Sequence, residues 1–187
     1  MERWEQLFSD LEGSFAAMES DELVALVQEQ IRAEEAQIRM WQRCKGAAGQ
    51  MAEVRVKGGK DLRGKVISAA PEWVLLTMTA KQVLIPMRSI VSFAGPHAVA
   101  PVEPEDPALA GRRRATEVTL NRALRVLSRD RAQVTVALVE FAVQGIIASV
   151  SSDHITVITG GAGEWEQRRA MRSTAVASAH ISYIVGS

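Results

Sequence analysis

The chain has 187 residues, 47% of them hydrophobic and 24% charged, and its 22 basic and 22 acidic side chains leave no net charge. Such a composition belongs to an ordinary globular protein, long enough for one medium domain or two small ones, and it excludes a global electrostatic pull toward nucleic acid or membrane. The single cysteine, Cys44, excludes an internal disulfide and a cysteine-built zinc cluster.

The neutral total hides an uneven layout. Residues 1–45 carry ten acids and five bases, a net −5, and residues 96–110 carry three acids and no base. Residues 46–95 hold three acids and seven bases, and residues 111–187 hold six acids and ten bases, so each of these stretches is +4. No run reaches the roughly 18 apolar residues of a membrane span. The opening MERWEQLFSD has acids where a signal peptide needs an apolar stretch, so the cytoplasm is the expected compartment.

Residues 1–45 read as a helical arm. Trp4, Leu7, Phe8 and Leu11 fall at i, i+3, i+4 and i+7, one apolar face of a helix. A second start signal stands at Ser20-Asp21-Glu22. From there Val24, Ile31 and Ile38 recur every seven residues, with Val27 and Trp41 in the companion row, a stripe that needs a partner surface. Gly46 and Gly49 end the run.

The period then changes to two. Val54-Arg55-Val56-Lys57 alternates apolar and basic, and Gly58-Gly59 sits where a tight hairpin needs positive φ. The chain returns through Leu62, Gly64 and Val66, bends at Pro71-Glu72, and continues in three more short strands around Trp73–Thr77, Val83–Pro86 and Ile90–Phe93. Five short strands within residues 46–95 predict a sheet curled into a small barrel, with Gly64 at a bend. Residues 96–114 form a linker with prolines at 96, 101, 104 and 107.

Residues 115–187 repeat the first unit. A helical stretch carries Leu120, Ala123, Leu124 and Leu127 on one face, so that Leu120 and Leu124 stand for Met40 and Cys44. Val134-Thr135-Val136 then stands for Val54-Arg55-Val56 at a spacing of 80, and Gly145 for Gly64 at 81, which implies one inserted residue in the hairpin. Asp153-His154-Ile155 stands for Glu72-Trp73-Val74, and Ile181 and Gly186 stand for Ile90 and Gly95 after a longer loop, Gly160–Arg169.

The fold class expected is therefore mixed and mainly β: a helical arm followed by two tandem helix-plus-five-strand barrels. The stretches VRVKGGKDLRGKV, EWVLL and VLIPMRSIVSF, with their counterparts VTVAL, VQGII, DHITV and HISYIV, resemble the Sm-like (LSm/Hfq-like) small β-barrels. That likeness covers about 100 of the 187 residues and implies RNA binding in rings of subunits. The Arg-Gly pair that lines the family's nucleotide pocket is absent, with Met87-Arg88-Ser89 and Ser178-Ala179-His180 in its place. The whole layout also resembles actinobacterial proteins that begin with a similar Trp-Glu-x-Leu-Phe.

Arg55, Lys57, Lys60, Arg63 and Lys65 crowd the outward side of the first hairpin, the residue types that phosphate contact wants. Arg112-Arg113-Arg114 is a second basic run, and neither cluster is interleaved with the aromatics that single-strand stacking uses. His97, His154 and His180 are scattered, and no nucleophile, zinc-protease, P-loop or dinucleotide motif is present, so no catalytic residue, metal or cofactor is expected. The function expected is a non-enzymatic interaction or adaptor protein. It would meet a protein partner, or itself, through Trp4, Leu7, Phe8 and Leu11; RNA binding through the basic hairpin is the alternative.

Overall fold

A computed structural model describes residues 24, 26–33, 35–96, 118–159 and 172–186. The chain divides into two compact units, Met1–Ile38 and Arg39–Ser187. In the first, the described residues between 24 and 37 are helical, and Val24, Leu26, Val27 and Ile31 are all exposed. Trp4, Leu7, Phe8, Leu11, His97, Arg112–Arg114 and the loop 160–171 lie outside the described residues. None of the described helices is long and apolar enough to cross a membrane.

The second unit begins with a short helix, α1 (Met40–Gly46), whose Cys44 is fully buried against the first strands. The arm and this helix are thus separate elements, not one run to residue 45. Five strands follow: β1 (Met51–Val56), β2 (Asp61–Ala70), β3 (Trp73–Met78), β4 (Lys81–Pro86) and β5 (Ile90–Ala94). After α2 (Leu120–Arg129), N-capped by the Thr119 hydroxyl, come β6 (Gln133–Ala137), β7 (Ala142–Val150), β8 (His154–Thr159), β9 (Arg172–Ala177) and β10 (Tyr183–Gly186). The mainly β class agrees with the periodicity, as do the strands other than β9, for which the sequence singled out no stretch. Gly58 and Gly59 hold φ of 91° and 76° in the first hairpin turn.

Two tandem barrels are expected from the sequence, and the structure shows instead a single sheet that is not closed. All ten strands form one open antiparallel sheet in the order β5-β1-β2-β3-β4-β10-β6-β7-β8-β9. The reason is local: the outer edge of β4 pairs with β10 rather than turning back toward β5. Each half nevertheless runs fifth, first, second, third, fourth strand. Each second strand also carries a register shift, between Val66 and Ser68 in β2 and between Ile147 and Ser149 in β7. Such bulges bend and twist a strand.

Gly64 and Gly145 mark the matching close approaches. A Cβ on Gly64 would stand 2.6 Å from the Thr77 carbonyl oxygen, and one on Gly145 would run into the Ile158 carbonyl oxygen. The ladders also correct the internal alignment. Val54 pairs with Phe93 where Val136 pairs with Ile184, and Ala52 pairs with Gly64 where Val134 pairs with Gly145. The counterpart of Val54-Arg55-Val56 is therefore Val136-Ala137-Leu138, two residues on, and the second hairpin is one residue shorter rather than longer. A two-residue slip keeps every side chain on its face, which is why alternation alone does not detect it.

Two cores result. Val54, Val56, Val66, Val74, Leu76, Val83 and Ile85 fill the first, and Leu124, Val136, Ile147, Ile155, Val157 and Ile184 fill the second. The junction strands serve both. From β4, Leu84 joins the second core while Val83 and Ile85 stay in the first; from β10, Tyr183 and Val185 pack on the first core while Ile184 lies in the second. Strands covered on both faces read as unbroken apolar runs, and Val83-Leu84-Ile85-Pro86 is buried throughout.

Candidate interaction site

The β4–β10 junction shows what a covered edge looks like in this protein. Leu84 faces Ile184, Val83 faces Val185, and Gln82 faces Gly186 across the ladder. The Ser89 hydroxyl lies 2.7 Å from the Pro86 carbonyl and 2.6 Å from that of Ser182, within donating reach of either half, and the Arg88 guanidinium donates to the Ser178 carbonyl. Trp73 of β3 donates its indole N–H to the Val118 carbonyl at 2.6 Å, and the Glu72 carboxylate accepts from the Leu120 amide at 2.7 Å. Glu72 thereby satisfies one of the orphan donors at the start of α2. Arg88 and Ser178, at the positions expected to line a nucleotide pocket, are here joined to each other.

The two ends of the sheet present the same elements uncovered. Among the described residues no strand pairs with the outer edge of β5 or of β9. Val91 on β5 is 59% exposed, whereas its positional counterpart, Ser182, just ahead of β10, is buried. Met40 is 39% exposed and Leu120, its counterpart, is 3% exposed in the core that Trp73 also joins. A groove of about 410 Å³ runs along β9 between Ala175, Ala177 and His180 on one side and Val139 and Phe141 of the β6–β7 turn on the other. Val139 and Phe141 are 56% and 59% exposed. Unpaired backbone bordered by apolar side chains is the template that another strand recognises.

The basic set is less free than its sequence suggests. Arg55 and Asp61 lie directly opposite each other, and the guanidinium grips the carboxylate through Nε–Oδ1 at 2.7 Å and Nη2–Oδ2 at 2.8 Å. Glu53 faces Arg63 in the same ladder. Two of the five bases thus stand against acids on one face, leaving Lys57, Lys60 and Lys65, the last opposite Met51 and Thr77. Hydrogen bonding to Arg55 holds the Asp61 carboxyl below the usual carboxylate range, and the same bond raises the Arg55 guanidinium. The lowered carboxyl stabilises the hairpin above the ordinary carboxylate range and loses that effect as pH falls through its own titration. The pair is fully exposed, so its contribution is slight. In an NMR titration, Arg55→Ala should return the Asp61 midpoint toward that of an ordinary aspartate.

His154 and Asp153 are hydrogen-bonded at the entry to β8, Nδ1 to Oδ1 at 2.7 Å. That bond lowers the Asp153 carboxyl. His180 closes the 3-10 turn Ser178–His180, away from this pair in the chain. Among the described residues no three of His, Cys, Asp and Glu gather as a metal site. Burial pushes the Cys44 thiol up to about 11, which makes it an inert core residue.

No family model matches the chain, and no curated protein matches it. The open edges at β5 and β9 and the β4–β10 junction were not anticipated from sequence. The one signal for the junction was the apolar run Val83–Pro86, too continuous for a strand covered on a single face.

Proposed function

We propose that this protein is a non-enzymatic interaction protein whose body binds a protein partner by adding a strand to an open sheet edge. The carrying observation is the β9 edge with its apolar groove, where Phe141 and Val139 stand exposed beside unpaired backbone. Main-chain hydrogen bonds would supply affinity and the groove would supply side-chain selectivity. The exposed stripe Val24, Val27 and Ile31 in the acidic arm gives the same reading a second contact surface. We further propose that each half is an Sm-like barrel opened at the junction. Support comes from the shared strand order, the matched bulges and the glycines at the second strand.

A photo-activated cross-linking residue at Phe141 tests the interaction. Adducts to polypeptide at this site, absent when the cross-linker sits at the exposed but remote Ile67, are expected. Equal yields at the two positions, or none at either, count against it.

RNA binding has a narrower basis, in Lys57, Lys60 and Lys65, which no acid opposes in the ladders. Three phosphate contacts on single-stranded RNA would give log K a slope of about −2 against log salt. Replacing the three lysines by Gln should abolish binding, while Arg55→Gln should change it little. A slope much steeper than this, or binding that survives the triple change, rules out this surface.

A further inference from the structure

We infer that the apolar stripe of the arm is covered by the arm of a second copy, laid parallel and in register as a two-stranded coil. The pairing names the occupant of the second contact surface in the interaction reading above, on which it rests. Val24, Val27 and Ile31 are 54%, 57% and 49% exposed, on a helix whose described residues lie between 24 and 37. A helix of about 12–15 residues is marginal in water, and its stability comes mostly from packing an apolar face. The stripe therefore needs a cover, and its spacing selects the kind. Val24 and Ile31 stand seven residues apart with Val27 between them, a seam two rows wide. A globular core is met by a broader face, about 100° or more across, whereas a narrow seam repeating at seven is met by a helix of the same repeat. The first row holds Val24 and Ile31, the β-branched type that parallel pairs take there.

The charges allow two acidic arms to meet. With Val24 and Ile31 in the first row and Val27 in the second, Glu29 falls on the side away from the seam. Gln30 of one strand then meets Glu35 of the other along the flank, an amide against a carboxylate, with no like charges opposed there. Glu34, seven residues after Val27 in the sequence, interrupts the second row. The seam is thus about two turns long, which makes the pair weak and reversible. A paired chain carries two β9 grooves. A partner with two strands, or one held on a surface, is then bound more tightly than by a single chain.

Sedimentation equilibrium of the full chain should show a monomer of 20.4 kDa passing to twice that mass as concentration rises. Ile31→Lys should move the midpoint at least about tenfold higher, and Glu34→Leu at least about tenfold lower, with circular dichroism showing the strands intact in both. A single added cysteine reads the register, since native Cys44 is buried. Helix axes about 8–10 Å apart bring facing seam positions within the roughly 4.4–6.8 Å between Cα atoms that a disulfide spans. Val27→Cys should therefore oxidise to a linked dimer, and Glu29→Cys, on the far side, should not. A monomer at every concentration overturns the arm pairing, and so does a dimer indifferent to positions 31 and 34 or linked equally well from 27 and 29. If adducts at Phe141 persist in a monomeric chain, the interaction reading stands without the pairing. If the dimer forms and Phe141 gives no adducts, the β9 reading alone falls.

Discussion

Gly145→Ala is expected to lower the unfolding free energy by about 3 kcal/mol, the upper part of the usual range for overpacking a core. The added methyl would meet the Ile158 carbonyl, with Val157 Cγ1 2.9 Å away. A flexible side chain could yield at such a contact, but a carbonyl in the β7–β8 ladder cannot move without disturbing paired backbone. Gly59→Ala supplies the contrast. That position has φ of 76° and nothing within 4 Å of a new Cβ, so its cost is the left-handed conformation alone, about 1 kcal/mol. Guanidinium denaturation reads both, as shifts in midpoint at unchanged slope. Equal losses at the two sites would mean that backbone conformation, not close strand approach, fixes Gly145.

Trp73→Ala should cost about 3–5 kcal/mol, the range for removing a large aromatic from a core. Trp73 belongs to the first half by sequence, yet it packs in the core of the second and bonds the chain just ahead of α2. Its loss should therefore loosen both halves within a single cooperative transition. Trp73→Phe keeps most of the apolar volume and removes only the bond to the Val118 carbonyl, so about 1 kcal/mol is expected. A transition that splits in two on Trp73→Ala, with the first half unchanged, would show that the halves are stabilised independently. Circular dichroism for the whole sheet, together with the fluorescence of Trp41 in a chain whose Trp4 and Trp165 are replaced by Phe, separates the first half from the rest.

What could be read from the sequence was the part governed by local periodicity. Alternation in Met51–Val56 and Ala142–Ile147, the Gly58-Gly59 turn and the paired glycines at 64 and 145 located the strands and the bent second strand of each half. The pairing of Arg55 with Asp61 was not within reach, because a hairpin turning on the two glycines alone would set Arg55 opposite Leu62, whereas the ladder turns on three residues, Lys57–Gly59. Long-range geometry was out of reach as well. The choice of β10 as the partner of β4 depends on where the second half is delivered by residues 97–117, and no pattern in either strand names its neighbour. The same limit explains the two-residue slip in the repeat, since Val134 and Val136 are equally good inward residues for β6. It explains why the basic hairpin looked stronger than it is: clustering in sequence does not show that Glu53 and Asp61 face two of the five bases.

On the proposed reading the open edge of β9 takes a partner's strand, as β4 takes β10 within the chain. Hydrogen exchange before and after addition of the polypeptide captured by the cross-linker at Phe141 tests this most directly. Amides of Lys81–Pro86 and Tyr183–Gly186 should be protected in both states, whereas those of Arg172–Ala177 should gain protection on addition. Exchange in Arg172–Ala177 that stays as fast after addition as before would contradict it.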